Sequence, residues 1–366
     1  MDFIYVDIKK VRKDISIFGP PQDDHTEYRR SGFNTFFHPK MEAPGLDEPS
    51  DRPYSFGRWR RFILRERIQR HSVVSQIISL SADQAQLLLD VAQWSIPSLR
   101  VREIFKKEFN ELMPAFAALR FPTEGLFMRL DSCSARDGYR GHTPLHTAED
   151  IVLRLVTSER VQRTLTKTLT AGVESLSYLD KASGVVKSFD VRRTGEETLQ
   201  VYFVPFDDRI SDQHKYRVFC LPSISAMVSR ITAISQLDWS KPWVFRDKEE
   251  SELRRLATDI AGKCEELRRK IVLNLDVGNE VDLCFLHQGF TFDVWYDEHD
   301  GNVNLIGLNA FGMRSGTGSC LFHWREDRGL LYGTNSALRP EFRATWYKYL
   351  QRTNGEAAGA RTTSGL

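Results

Sequence analysis

Cysteine is scarce and unpaired in this sequence: Cys133, Cys220, Cys264, Cys284 and Cys320 are scattered, odd in number and form no C-x-x-C pair. That spacing excludes a disulfide framework, gives a zinc centre no nucleus, and points to reduced thiols. Long apolar runs are missing as well, since none approaches the roughly 18 residues that a membrane-spanning helix needs. Net charge is only +2 over 366 residues. No broad electrostatic case for nucleic-acid or membrane binding follows from so small an excess. The first residues lack a basic-then-apolar signal pattern, so a soluble, cytoplasmic protein is expected. What is present is an ordinary globular balance of 41% hydrophobic and 27% charged residues, in a chain long enough for one large or two medium domains.

Residues 1–54 open with a short strand-like run, Met1 to Ile8, and then lose periodicity around Pro20-Pro21, Asp23-Asp24 and Pro44 to Pro49, which reads as an irregular arm. Phe33, Phe36 and Phe37 are expected to pack on the domain all the same. From Ser55 to Leu119 the character is helical: Ser81-Ala-Asp-Gln opens a run with Leu88, Val91 and Ala92 on its inner face, and Pro97 begins another. Thr147 is placed to cap a helix carrying Ile151, Val152 and Leu155. Residues 175–204 alternate as strands, and 216–236 as a strand pair. Leu253, Leu256, Ile260, Cys264, Leu267 and Ile271 form one helical stripe over 247–271, expected to cover a sheet. His142 and His146 stand four apart, but Pro144 breaks the helix that would align them on a metal. Residues 353–366 read as a mobile tail.

The stretch Phe290 to Trp324 organises the rest. Phe292, Val294 and Tyr296 alternate with Asp293 and Trp295, Asp300-Gly301 signals a turn, and Val303, Leu305 and Leu308 resume the apolar pattern. A hairpin with an odd-numbered loop would set Asp293 opposite Asn309, with Gly307 two residues along on the same face. Two oxygen-bearing side chains on adjacent strands suit a hard cation such as Mg²⁺ when nucleotide phosphates and water supply the remaining ligands. Spacing alone leaves a second reading open, a strand-end Asp and Asn facing solvent. Arg129, leaving a strand toward the polar stretch Asp131 to Gly141, could anchor phosphate with its fork or form an ordinary salt bridge. The Gly/Ser-rich loop Arg314 to Ser319 lacks the strand-loop-helix setting and the Lys of a phosphate cradle.

These blocks resemble the cell division cycle protein 123 family. The resemblance is carried by Phe290 to Trp324, by Phe56-Gly-Arg-Trp-Arg-Arg-Phe62 with the run to Leu80, by Phe127 to Asp137, by Tyr216-Arg-Val-Phe219 and by Ala233-Ile-Ser-Gln236, in the family's order over residues 56 to 324. It implies an α+β, ATP-grasp-like fold with two mixed lobes and a nucleotide cleft between them. On that reading residues 1–54 are an arm, 55–198 the N-terminal lobe, 199–335 the C-terminal lobe and 336–366 a C-terminal segment. It also implies ATP with Mg²⁺, and action as an assembly chaperone for eukaryotic translation initiation factor 2 through its gamma subunit. Carried over residue by residue, Arg129 and Arg217 face the nucleotide, the backbone of Tyr202, Phe203 and Val204 meets the adenine, and Asp293 and Asn309 hold the metal.

Three departures weaken the implied chemistry. Gly307 stands where the family has an Asp, Pro205 where it has a Lys, and Gly318 where it has another Asp. Three classes stay open on this sequence: a non-catalytic ATP-binding assembly factor, a diverged ATP-grasp ligase working through an acyl phosphate, and a pseudoenzyme without ATP binding.

Overall fold

The computed structural model describes residues 1–18, 31–71, 74–170, 173–180, 185–192, 198–223, 229–335 and 339–346. Its strands are β1 (Asp2–Asp7), β2 (Gln76–Leu80), β3 (Leu126–Leu130), β4 (Val173–Asp180), β5 (Val185–Arg192), β6 (Leu199–Pro205), β7 (Lys215–Cys220), β8 (Ile231–Gln236), β9 (Phe290–Asp297), β10 (Asn302–Ala310) and β11 (Glu341–Trp346). Its helices are α1 (Ile8–Phe18), α2 (Phe56–His71), α3 (Ala82–Ser95), α4 (Lys106–Leu112), α5 (Ala148–Val156), α6 (Glu159–Thr170), α7 (Glu250–Leu273), α8 (Glu280–Gln288) and α9 (Arg328–Leu331). The architecture is mixed α+β. A six-stranded sheet runs β1-β11-β8-β7-β9-β10, a three-stranded antiparallel sheet runs β2-β6-β3, and β4 and β5 pair as a ribbon. No helix among the described residues is long and apolar enough to cross a membrane.

Local signals place the helices. Ser81 accepts from the Gln84 N–H while the Gln84 side chain returns to Ser81 N–H, and Thr147 and Asp150 form the same reciprocal box at the start of α5. Each box satisfies two otherwise orphaned donors, a gain of about 1 kcal/mol. The stripe read over 247–271 is realised as α7, whose Leu253, Ala257, Ile260, Cys264, Leu267 and Ile271 are buried against the large sheet. The run after Pro97 does not form one helix. It is broken by turns before α4, and α4 ends where Pro114 opens a 3-10 turn and lacks the backbone donor that an α-helix would need.

Of the arm, Pro20-Pro21 and Asp23-Asp24 lie outside the described residues, Pro44 to Pro49 runs without helix or strand as expected, and the strand-like run Met1 to Ile8 forms a strand. That strand, β1, lies parallel to β11 at the edge of the six-stranded sheet, with Phe3 against Trp243 and Phe342. In α1, Ile8 and Val11 are fully buried, in a cluster with Trp239 and Leu321. Farther on, Thr35 donates its N–H to Ser319 Oγ and accepts at its hydroxyl from Trp324 N–H, and Ala43 is buried with Phe311 and Trp324. The tail expected to be mobile, 353–366, and the stretch 224–228 before β8 lie outside the described residues.

Leu199–Pro205, expected at the head of the C-terminal lobe, is the central strand of the smaller sheet, between β2 and β3. Its partners lie far away along the chain, so nothing local announces them. The loop from Arg314 to Ser319 is a ledge for the arm. A Cβ on Gly316 would come within 2.5 Å of Phe37 Cζ, and one on Gly318 within 2.2 Å of Asn34 Oδ1, which accepts from the Cys320 N–H. Gly318→Ala should push the Asn34 amide off that N–H and lower the unfolding free energy by about 1–3 kcal/mol. Urea denaturation measures this, and an unchanged midpoint would show that the arm does not rest on the loop.

Candidate functional site

The hairpin of β9 and β10 does not have the expected register. Asn302 pairs with Asp297, so the loop is the four residues Glu298 to Gly301, and a one-residue shift falls between Leu305 and Gly307. Asp293 is therefore opposite Gly307, and Asn309 is opposite Thr291. The bulge has a decisive effect. Before it, Val303 and Leu305 point into the core with Tyr296 and Val294; after it, Leu308 and Ala310 do so with Phe292 and Phe290. Inserting Ile306 flips the parity, because side chains alternate with period two. Gly307 and Asn309 thereby join Asp293 on the non-core face. The apolar doublet Leu305-Ile306 followed by a glycine inside a strand is the signal that could have revealed it.

On that face Asp293 is held on several sides. Arg217, opposite it on β7, donates from Nε to Oδ1 at 2.7 Å and from Nη2 to Oδ2 at 2.8 Å. The third donor of the fork, Nη1, reaches the Gly318 carbonyl at 2.7 Å. Asn309 Nδ2 donates to Asp293 Oδ2 at 3.1 Å. Burial disfavours the Arg217 charge, but the Asp293 carboxylate outweighs it and raises the guanidinium above its ordinary value.

The donor set that Asp293 and Asn309, the metal ligands implied by the resemblance, present here does not fit Mg²⁺. Both carboxylate oxygens accept from a guanidinium, and the amide turns its nitrogen toward them. Octahedral magnesium needs free oxygen lone pairs at about 2.0–2.1 Å. A divalent ion about 4 Å from Arg217 would also be repelled by roughly 8 kcal/mol at an effective dielectric of about 20, twice the value for unit charges. Among the described residues no group of three or more His, Cys, Asp or Glu side chains gathers where a metal could sit. His142 instead reaches Asp212, and His146 lies at the capped start of α5, its N–H bonded to Asp150.

The smaller sheet brings a second cation to the same place. Met128 and Leu130 of β3 point into the core under α3 and α5, which turns Arg129 to the other face, toward β10. A Cβ built on Gly307 would meet Arg129 Nη1 at 3.5 Å and no other described atom within 4 Å. The Arg129 guanidinium stacks on Phe56, 4.3 Å from the ring centroid, and Nε donates to the Leu130 carbonyl. Nη1 and Nη2 have no hydrogen-bond partner and Arg129 forms no ion pair among the described residues. Burial, partly offset by Cys133 and Asp131, pushes it down to about 10, so it stays charged at neutral pH. Asp131 spends one oxygen on the Gly57 N–H at 2.6 Å, and Arg60 lies over the Tyr202 ring.

The strand expected to meet the adenine lies inside the smaller sheet. Tyr202 and Phe203 are flanked by β2 and β3. The Phe206 N–H donates to Gly125 O, so Val204, two residues earlier, also turns its backbone toward β3. The backbone groups of all three residues are spent inside the sheet. Gln236 is likewise committed, accepting from Thr345 and donating to the Asp238 and Lys241 carbonyls. The structure thus brings together Arg129, Arg217, Asp293 and Asn309, and leaves Tyr202 to contribute its side chain alone.

With Arg217 and Asp293 only 13% and 15% exposed, Asp293→Ala strands a buried guanidinium and should lower the unfolding free energy by about 3–5 kcal/mol. The double variant Arg217→Met, Asp293→Leu should lose much less. Equal losses in urea denaturation of the single and double variants would rule out the ion pair as their common cause.

No family model matches this sequence, and no curated protein matches it. Among solved structures, the chain is similar to C-terminally truncated Cdc123 from Schizosaccharomyces pombe, at 18% identity over 81% of this chain and 98% of that chain, with a TM-score of 0.48. It is also similar to Cdc123 from the same organism, at 17% identity over 82% of this chain and 99% of that chain, again with a TM-score of 0.48.

Proposed function

We propose that this chain is a diverged member of the cell division cycle protein 123 family. On this reading its two sheets are the cores of an ATP-grasp-like pair of lobes that bind ATP between them. It works in the cytoplasm as a non-catalytic assembly chaperone for eukaryotic translation initiation factor 2, through the gamma subunit. The observation that carries the nucleotide part is the guanidinium of Arg129, whose Nη1 and Nη2 have no hydrogen-bond partner among the described residues, brought from β3 to Gly307 of β10 beside the Arg217–Asp293 pair. Segments almost 180 residues apart in sequence converge there, and with Arg217 committed to Asp293 the Arg129 fork is the group that can meet a phosphate by paired donors. The non-catalytic part is supported by the commitment of Asp293, both of whose oxygens are bound to Arg217. The assembly role rests on the ordered recurrence of the family's sequence blocks.

Two measurements test the reading. ATP at about 100 times its dissociation constant should stabilise the protein by about 2.7 kcal/mol, visible as a rise in melting temperature; no rise at millimolar ATP, with or without magnesium, removes nucleotide binding. A pull-down should recover the gamma subunit of initiation factor 2, and consistent failure with purified components would remove the assembly role.

A further inference from the structure

The site is built for an anion and not for a metal. A triphosphate is usually presented to a protein with a divalent cation that neutralises part of its charge and is gripped by protein carboxylates. Here the carboxylate that would grip it is closed off by Arg217, and where a second would stand there is Gly307, whose missing side chain leaves room beside the Arg129 fork. Asp131 is the remaining nearby carboxylate; it lies beside the Arg129 guanidinium, has one oxygen already bonded to the Gly57 N–H and is also hydrogen-bonded to the Tyr202 side chain. On the same face of β9, the Thr291 hydroxyl is buried with no hydrogen-bond partner among the described residues, and Thr291 stands opposite Asn309. A guanidinium fork set on an aromatic ring beside a glycine, with two amino groups that have no partner among the described residues, can hold a phosphate by two parallel hydrogen bonds.

We propose that this site binds the phosphates of its ligand directly through Arg129 and without a divalent cation, the guanidinium supplying the positive charge that magnesium would otherwise bring. The ligand class is a phosphate-bearing polyanion, whether the tail of a nucleotide or a free polyphosphate. The proposal rests on the nucleotide reading above and changes its chemistry: Gly307 becomes the residue that keeps Arg129 available. An Asp there would reach Arg129 first and neutralise it, so restoring the carboxylate should weaken anion binding.

Calorimetric titration of the full chain tests this with ATP, tripolyphosphate and adenosine, each in EDTA and in magnesium. The expected result is ATP affinity in EDTA at least equal to that in magnesium. Gly307→Asp should lower affinity in EDTA by about tenfold or more, as should Arg129→Gln, the loss of a charged hydrogen bond. Because Arg129 stacks on Phe56, Arg129→Gln is read only if its melting temperature without ligand matches the parent; the wild-type comparison and Gly307→Asp need no such control. Tripolyphosphate binding as tightly as ATP, with adenosine silent, supports the proposal and assigns the affinity to phosphate; ATP alone binding in EDTA supports it with a nucleotide as the source. Binding of ATP only in magnesium, or an affinity raised by Gly307→Asp, overturns the proposal and leaves the nucleotide reading standing. No binding of any phosphate compound in either buffer overturns both.

Discussion

A single extra residue in β10 governs which side chains can meet. The four-residue loop of the hairpin would, in an uninterrupted ladder, put Asn309 on the core side and Ile306 beside Asp293. The bulge between Leu305 and Gly307 reverses this, and the core accepts the reversal because Leu308 and Ala310 take over from Val303 and Leu305 under α7. Each of those apolar side chains contributes on the order of 1.5–3 kcal/mol when buried, apart from the smaller alanine. Burial of the apolar set therefore holds the bulge in place. The polar set on the other face follows, and the Arg217–Asp293 pairing offsets the desolvation of its charges.

That polar face is also a joint. Arg217 binds Asp293 on the neighbouring strand and the Gly318 carbonyl on the loop above, while Asn34 of the arm bonds the adjacent Cys320 N–H. The sheet, the loop and the arm are thus linked within a few residues. Arg343 repeats the device on β11, gripping Asp327 with two nitrogens while lying 4.0 Å from the centroid of the Phe322 ring. In both places a planar fork satisfies several acceptors at once, which a lysine could not do from the same position. Arg129 differs because its fork is left open. The contrast between a closed arginine and an open one separates the structural part of the site from the part available to a ligand.

Much of the local structure was legible. The capping residues Ser81 and Thr147, the α7 stripe and the existence of the β9–β10 hairpin all rest on contacts within a few residues, where side-chain spacing writes directly into geometry. Hairpin spacing suggested that Asp293 and Asn309 share a face, though with a register that the bulge changes, and only the resemblance of motifs suggested that Arg217 lies beside them. The hairpin register was not legible, because a bulge leaves only a faint trace, here Leu305-Ile306 before Gly307. Nor were the arm's supports at Ser319, Trp324 and β11, which lie roughly three hundred residues away.

By itself, then, the sequence determined the helices with their caps, the alternation of the strands and the residue types present at the site, since these depend on period and propensity over short windows. Only the tertiary structure decided that β1 pairs with β11, that β6 is covered on both edges, and that Asp293 answers to Arg217. Strand pairing runs through backbone N–H and C=O groups that nearly every residue possesses, so a distant partner leaves almost no mark on the side chains. Which charge a carboxylate meets is a matter of where that pairing brings it.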